Sequence, residues 1–167
     1  MNLQNLTPDT TALISEKLLT EAESVSGKKI LEFGFLNGSP FKAFSSGFEY
    51  YCCIDKSDDF SQIAYSEAQN HGLNLIPYEE IGEDCYFGRF HLVYTIFGLH
   101  DRAHLADEIM RLRRLIIKQG KIVIIDAAEN GIEDRFIKQM KLCGFSDPSV
   151  EHLDFDGTNA FLISAKK

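Results

Sequence analysis

A chain of 167 residues with 44% apolar and 25% charged residues has the composition of an ordinary globular domain. Its length allows one domain to bury a substantial core without disulfide or metal cross-links. We therefore expect a single domain over residues 1–167, in which 1–27 form an N-terminal helical segment. The net charge of −8 argues against general nucleic-acid binding, because phosphate contacts depend on clustered Lys and Arg.

Two further classes of protein are disfavoured by the composition. No apolar run is long enough to cross a bilayer, and no basic-then-apolar leader opens the sequence. These features predict a cytoplasmic protein that does not bind membranes. The four cysteines form no Cys-x-x-Cys pair, so we expect reduced, mostly structural thiols and no zinc or iron–sulfur site.

The first third of the chain carries two helix starts and one strand. Thr7-Pro8 is typical of an N-cap followed by proline at the first helical position. The helix that follows has one apolar stripe, made by Leu13, Ile14, Leu18 and Leu19, and should end near 24–27. A first strand is predicted at 30–33. Ser39-Pro40 repeats the cap-then-proline signal and predicts a second helix directly after the Asn37-Gly38 turn.

Strands and helices alternate in the middle of the chain. The predicted strands are 50–54, 73–76, 90–97 and 121–125, and the predicted helices are 60–70, 103–118 and 133–142. The helix at 103–118 follows from apolar residues at spacings of four, three and four, namely Leu105, Ile109, Leu112 and Ile116. Lys118-Gln119-Gly120 is expected to end it. The run at 121–125 is almost purely β-branched, which is typical of a strand buried on both faces.

The last segment departs from this alternation. Strands at 150–155 and 160–165 are separated only by Asp156-Gly157-Thr158-Asn159, in which Asp-Gly is a turn signal. No helix fits between them, so the last strand must run antiparallel to its neighbour. The pattern predicts a three-layer α/β fold whose sheet is parallel except for one closing hairpin.

A glycine-bearing turn follows the first strand and is the most informative motif. The stretch Lys29-Ile-Leu-Glu-Phe-Gly-Phe-Leu-Asn-Gly38 runs from an apolar strand into an acidic residue and a turn. Small residues there allow a ligand to approach the backbone closely. Asp55 ends the next strand, 17 positions beyond Gly38, where a carboxylate can accept hydrogen bonds from both ribose hydroxyls of a nucleotide-like cofactor. Asp55 could instead cap the next helix, and a tight turn alone would explain Gly34 and Gly38.

On these residues, the chain resembles the class I S-adenosylmethionine-dependent methyltransferases across nearly its full length. Glu32, Gly34 and Gly38 match that family's acidic-x-Gly-x-Gly-x-Gly loop, with Leu36 at the middle glycine position. The segment 90–100, Phe-His-Leu-Val-Tyr-Thr-Ile-Phe-Gly-Leu-His, is similar to the family's fourth-strand region. The resemblance implies a Rossmann-like, seven-stranded, mostly parallel sheet with an antiparallel C-terminal strand that enters through a hairpin. It also implies S-adenosylmethionine as cofactor.

The resemblance further implies a set of site residues. Glu32 would bind the cofactor's α-amino group, although a carboxylate there could instead cap the following helix. His100, with Asp101 beside it, would lie near the methyl acceptor and act as a general base, or else cap the next helix. The implied cofactor-binding set is Glu32, Gly34, Phe35, Gly38, Asp55, Lys56, Tyr78, Glu79 and Phe97, of which Tyr78, Glu79 and Phe97 would enclose the adenine or simply belong to the core.

Two functional hypotheses remain open from the sequence. The first is a methyltransferase that acts on a small molecule and binds no nucleic acid. The second is a non-catalytic relative that serves as a binding or scaffold subunit, which Leu36, Tyr78 and His91 favour because they replace residues common in the family. A nicotinamide dehydrogenase is disfavoured, because Gly34-x-Leu36-x-x-Ser39 lacks two of the three glycines of its Gly-x-Gly-x-x-Gly loop. The oligomeric state is left open.

Overall fold

One seven-stranded sheet organises the chain. The computed structural model describes residues 7–34, 40–44, 47–54, 65–66, 68–99, 104–129, 131–155 and 157–167. The strands are β1 (Lys29–Phe33), β2 (Glu49–Ile54), β3 (Asn74–Pro77), β4 (Phe90–Ile96), β5 (Ile116–Ala127), β6 (Ser146–Phe155) and β7 (Thr158–Lys166). They lie in the order β3-β2-β1-β4-β5-β7-β6.

The sheet is parallel from β3 to β5 and antiparallel at its far edge. β1 pairs with both β2 and β4 in parallel, whereas β7 pairs antiparallel with β5 and β6. β6 and β7 are the two arms of a hairpin, as the Asp-Gly signal predicted. The predicted fold class, including the antiparallel C-terminal strand, is confirmed. The strand order reverses between β1 and β4, which is where α/β sheets usually bind ligands.

The helices α1 (Pro8–Glu23), α2 (Leu105–Leu115) and α3 (Ile132–Leu142) flank the sheet. The predicted N-cap of α1 is confirmed, because the Thr7 hydroxyl accepts a hydrogen bond from the Thr10 N–H at 3.2 Å. Of the helix predicted at 60–70, residues 65–66 and 68–70 are helical, and the remainder lies outside the described residues. Within the described part of the chain, no helix is both long and apolar enough to span a bilayer.

The helix predicted after the Asn37-Gly38 turn is a 3-10 helix. Pro40–Phe44 form a 3-10 helix of five residues rather than an α-helix. Phe41 and Phe44 are both buried, and their spacing of three matches the three-residue turn of a 3-10 helix. The left-handed φ of +95° at Gly47 then turns the chain towards β2. The cap-then-proline signal therefore marked a real helix start but carried no information on helix length.

The predicted end of the helix at 103–118 is wrong. α2 stops at Leu115, and Ile116 already pairs with Phe90 as the first residue of β5. Gln119 adopts a left-handed φ of +68°, and the pairing of β4 with β5 shifts register at this point. Lys118-Gln119-Gly120 is thus an irregularity inside a strand rather than a helix end. The prediction failed because a buried Ile116 fits the apolar period of a helix and the interior of a strand equally well.

Two apolar layers cover the two faces of the sheet. α2 and α3 pack on one face over Leu31 and Phe33 of β1, and α1 packs on the other face over Ile30. Successive strand residues point to opposite faces, so Glu32 shares the α1 face with Ile30. The buried residues that α1 contributes to this layer are Ile14, Leu18 and Ala22.

Candidate functional site

The structure describes only part of the predicted site. Glu32, Gly34, Tyr78, Glu79 and Phe97 lie within the described residues. The other predicted site residues, namely Phe35, Gly38, Asp55, Lys56 and His100, lie outside them, as do Leu36 and Asp101. The functional roles of the residues outside the described part of the chain stay predictions.

Glu32 is a fully buried carboxylate on the central strand β1. Its exposed fraction is 0%, and it lies between Cys52 of β2 and Tyr94 of β4. The Tyr50 hydroxyl donates a hydrogen bond to Glu32 Oε2 at 2.5 Å. The Tyr50 hydroxyl is also hydrogen-bonded to the Tyr94 hydroxyl. Burying a carboxylate is costly unless donors surround it, and these two tyrosines are part of what offsets the cost.

The groups around Glu32 are held in their neutral forms. Burial raises the pKa of the Tyr50 phenol well above its usual value, and the Glu32 carboxylate raises it further. Burial likewise raises the pKa of the Cys52 thiol, with a second contribution from Glu32. Burial and the neighbouring negative charge both disfavour the ionised forms, so the Tyr50 phenol and the Cys52 thiol keep their protons. Tyr50 is therefore a hydrogen-bond donor to Glu32 at neutral pH.

Gly34 forms the turn at the end of β1. Its φ is +84°, a left-handed value that glycine adopts without strain, and its N–H donates to Cys53 O at 3.0 Å. No described atom lies within 4 Å of a Cβ built at this position. The turn therefore needs a glycine for its backbone conformation.

The end of β4 approaches the end of β1 closely. A Cβ added to Gly98 would lie 3.6 Å from Phe33 O and only 2.4 Å from Thr95 Oγ1. Phe97, the preceding residue, adopts a left-handed φ of +51°, which is uncommon for a bulky side chain. Its N–H donates to Ile125 O at 2.8 Å. Unusual backbone conformations of this kind cluster at functional sites.

The structure does not bring Tyr78 and Phe97 together. Phe97 packs in the α1-side layer, with its ring centroid 6.2 Å from that of Phe155. Tyr78 packs against the opposite layer, where its ring centroid is 5.7 Å from that of Phe33 and its hydroxyl donates to Glu108 Oε1 at 2.5 Å. Glu79 is exposed. The role of these residues around an adenine stays a prediction.

Two buried polar residues near the strand ends were missed by sequence reasoning. Thr95 of β4 and Asp126 of β5 are both fully buried. Asp126 Oδ1 accepts a hydrogen bond from the Ala127 N–H at 2.9 Å. The signal for Asp126 was available, because it directly follows the apolar run at 121–125 just as Asp55 follows the run at 50–54. Thr95 carried no such signal.

Metal-ligating side chains do not cluster in the part of the chain that the structure covers. Among the described residues, no group of three or more His, Cys, Asp or Glu side chains is arranged to hold a metal ion. The buried carboxylates of Glu32 and Asp126 accept hydrogen bonds from the Tyr50 hydroxyl and the Ala127 N–H.

The seven-stranded sheet with a β6–β7 hairpin is the fold of the class I S-adenosylmethionine-dependent methyltransferases. No protein-family model matches the sequence, and no curated protein matches it. Solved structures match it along nearly the whole chain. An S-adenosylmethionine-dependent methyltransferase from Aquifex aeolicus is 15% identical with a TM-score of 0.68, over 97% of this chain and 99% of that one.

Two other solved structures indicate how far this likeness extends. A Burkholderia thailandensis 1,6-didemethyltoxoflavin-N1-methyltransferase, with 1,6-didemethyltoxoflavin and S-adenosylhomocysteine bound, is 15% identical with a TM-score of 0.70, over 94% of this chain and 76% of that one. The [4+2]-cyclase SpnF is 9% identical with a TM-score of 0.75, over 100% of this chain and 84% of that one. At these identities the likeness shows the fold, and the fold by itself does not specify the reaction.

Proposed function

We propose that this protein is an S-adenosylmethionine-dependent methyltransferase that acts on a small molecule. The observation that supports this proposal best is the position of Glu32. It is a buried carboxylate two residues before the left-handed Gly34, on the strand where the order of the sheet reverses. Ligands of α/β sheets bind at such a reversal. The bound S-adenosylhomocysteine in the Burkholderia neighbour adds support from the fold.

The described residues fit the cofactor in charge and in space. S-adenosylmethionine carries an ammonium group on its methionine portion, and a buried carboxylate such as Glu32 is the natural partner for that group. No described atom lies within 4 Å of a Cβ built at Gly34, where the backbone would have to approach the ligand. Asp55 would accept hydrogen bonds from the ribose hydroxyls, and Phe35, Gly38 and Lys56 would complete the contacts.

The chemistry asks little of the protein side chains. The bound cofactor supplies a methyl group already activated on a sulfonium. The protein must position the acceptor in line with that group and exclude water. We propose that His100 takes the proton of the acceptor as a general base.

The class of acceptor is proposed from the neighbour and the charge. The Burkholderia enzyme has 1,6-didemethyltoxoflavin and S-adenosylhomocysteine bound, which supports a small-molecule acceptor. The net charge of −8 is unfavourable for a nucleic-acid acceptor. We further propose a cytoplasmic location.

Calorimetric titration with S-adenosylmethionine and S-adenosylhomocysteine tests the proposal. We expect micromolar dissociation constants for the wild-type chain and a loss of at least about tenfold in Glu32→Gln, because that change removes the charge facing the ammonium group. Folding of both proteins is checked by circular dichroism. Absence of binding to folded wild-type protein at millimolar ligand would reject the methyltransferase and leave the non-catalytic binding subunit. Cofactor binding without methyl transfer to any of a panel of small-molecule acceptors would contradict the catalytic part of the proposal and also leave the non-catalytic binding subunit.

A further inference from the structure

Two tyrosine hydroxyls form a directed hydrogen-bond chain that ends on Glu32. The Tyr50 hydroxyl lies 2.5 Å from Glu32 Oε2 and is also hydrogen-bonded to the Tyr94 hydroxyl. A phenol has one proton to donate, and an ionised carboxylate can only accept. Tyr50 therefore donates its hydrogen bond to Glu32, and Tyr94 must donate a hydrogen bond to Tyr50. The direction of the chain is Tyr94 to Tyr50 to Glu32.

The chain is assembled from three neighbouring strands. Tyr94 of β4 lies directly opposite Glu32 in the register of the sheet. Tyr50 of β2 lies opposite Ile30, which is the neighbour of Glu32 on the same face of the sheet. The tyrosine side chain is long enough for its hydroxyl to reach the Glu32 carboxylate. The strands β2 and β4 flank β1 on either side, so the carboxylate is held from both directions.

Burial makes this arrangement rigid. Glu32 and Tyr94 have an exposed fraction of 0%, and Tyr50 has one of 7%. The ring of Phe44 packs against both tyrosines, with centroid distances of 5.6 Å to Tyr50 and 6.2 Å to Tyr94. Rings packed in this way have few rotamers available, so their hydroxyls present fixed donors.

Apolar packing alone does not account for the two hydroxyl groups. Phenylalanine would fill nearly the same volume at both positions in this apolar layer, without a buried polar atom to satisfy. The hydroxyls are useful because a charged carboxylate lies among them, and charge-assisted hydrogen bonds are stronger than neutral ones. Their effect is to hold the Glu32 carboxylate in one orientation.

We propose that Tyr50 is a positioning residue, supported by Tyr94, that orients the Glu32 carboxylate towards the ammonium group of the cofactor's methionine portion. This inference rests on the proposed function, because it needs a cofactor with such a group. It adds two residues that make no contact with the cofactor and act on its binding through Glu32. Neither tyrosine was singled out by the sequence.

The test compares two ligands on the Tyr50→Phe variant. S-adenosylhomocysteine carries the ammonium group, whereas 5′-methylthioadenosine shares its adenosine and sulfur but lacks the amino-acid portion. We expect Tyr50→Phe to weaken S-adenosylhomocysteine by about tenfold, the effect of losing one charge-assisted hydrogen bond. Binding of 5′-methylthioadenosine should change by less than about twofold. Tyr94→Phe should weaken S-adenosylhomocysteine less, by about threefold, because its hydroxyl donates to Tyr50 and only polarises the bond to Glu32.

Tyr51→Phe is the matched control. Tyr51 is the next residue on the same strand but packs in the opposite layer, where its hydroxyl contacts Glu49 and accepts from Arg89 Nη2 at 3.1 Å. Both ligands should bind this variant as they bind the wild type. If Tyr50→Phe fails to fold, Tyr94→Phe carries the test on the same ligand pair.

The outcomes separate this inference from the proposed function. Equal loss of both ligands in a folded Tyr50→Phe protein would overturn the inference and assign the tyrosine a structural role. Unchanged S-adenosylhomocysteine binding would overturn it as well. If the wild-type chain binds neither ligand, the proposed function itself fails and the inference fails with it. Selective loss of S-adenosylhomocysteine supports both.

Discussion

Lys121 Nζ lies 2.7 Å from Glu21 Oε2 and ties the C-terminal turn of α1 to strand β5. The side chains are mostly buried, with exposed fractions of 14% and 21%, and Ser164 Oγ donates to the same carboxylate oxygen at 3.0 Å. An ion pair shielded from water in this way is screened less than a surface pair. The contact links residues 100 positions apart and fixes α1 on its face of the sheet.

Breaking this ion pair should destabilise the protein. Lys121→Met leaves the Glu21 carboxylate partly buried without its cation, and we expect a loss of roughly 1–3 kcal/mol in the free energy of unfolding. Urea denaturation followed by circular dichroism measures it. Lys17→Met is the control, because the Lys17–Glu151 pair also joins α1 to the sheet but is more exposed, at 31% and 48%. An effect of Lys17→Met as large as that of Lys121→Met would contradict the explanation.

Gly98 should not accept a side chain. In Gly98→Ala the new Cβ would lie 2.4 Å from Thr95 Oγ1, and Thr95 is fully buried at the end of β4. We expect a destabilisation of about 1–3 kcal/mol, the usual cost of overpacking. Thermal denaturation is a suitable measurement.

A double variant identifies the clashing atom in Gly98→Ala. Thr95→Ala removes Oγ1, so the Gly98→Ala change should cost less in that background than in the wild type. Gly82→Ala serves as the benign control, because among the described residues a Cβ there meets only Arg111 side-chain atoms, at 3.7 and 3.8 Å. Strict additivity of the Gly98 and Thr95 changes would show that the strain lies elsewhere.

Thiol reactivity should distinguish one cysteine from the other three. Cys85 is exposed, whereas Cys52, Cys53 and Cys143 are buried. Burial raises the pKa of the Cys52 and Cys143 thiols, which lowers the fraction of reactive thiolate at any given pH. Mass spectrometry after iodoacetamide treatment at pH 8 should find one modified cysteine in the native protein and four after denaturation. Rapid labelling of Cys52 in the native protein would contradict the burial of the β2 strand.

Stability should fall at alkaline pH, partly because of Tyr50. Burial, and then the Glu32 carboxylate, raise the pKa of Tyr50 in the folded protein well above its ordinary value of 10.0. The unfolded chain therefore loses this proton first, so the contribution to stability is present below about pH 10 and is lost as the pH rises further.

The Tyr50→Phe variant isolates this contribution. The free energy of unfolding, measured in urea between about pH 9 and pH 11, should decline less steeply in the variant than in the wild type. The difference in slope has an upper limit of about 1.4 kcal/mol per pH unit for one proton. Parallel slopes would show that Tyr50 ionises as easily in the folded protein as in the unfolded chain.

Asp55→Ala tests the ribose contact that the sequence predicts. Loss of charge-assisted hydrogen bonds of ~1.5–3 kcal/mol should weaken S-adenosylhomocysteine by about tenfold or more in calorimetric titration. Asp134→Ala is the control, because Asp134 lies exposed in the first turn of α3. Unchanged affinity in Asp55→Ala would remove the ribose assignment.

Much of the fold was readable from local patterns. The Thr7 cap, the alternation of strands and helices and the Asp-Gly hairpin are confirmed, because each depends on neighbouring residues and backbone preferences. The boundary between α2 and β5 was not readable. Ile116 satisfies the helical period, and only its pairing with Phe90 across the sheet decides that it belongs to a strand.

The candidate site likewise has one part that the sequence predicts and another part that only the tertiary structure shows. The sequence by itself determined that an acidic residue and a glycine turn follow the first strand, because strand, carboxylate and turn are adjacent along the chain. Only the tertiary structure decided that Tyr50 and Tyr94 meet at Glu32, since they come from two other strands and lie 18 and 62 positions away along the chain. Hydrogen bonds between distant strands depend on register and side-chain direction, and a single sequence records neither.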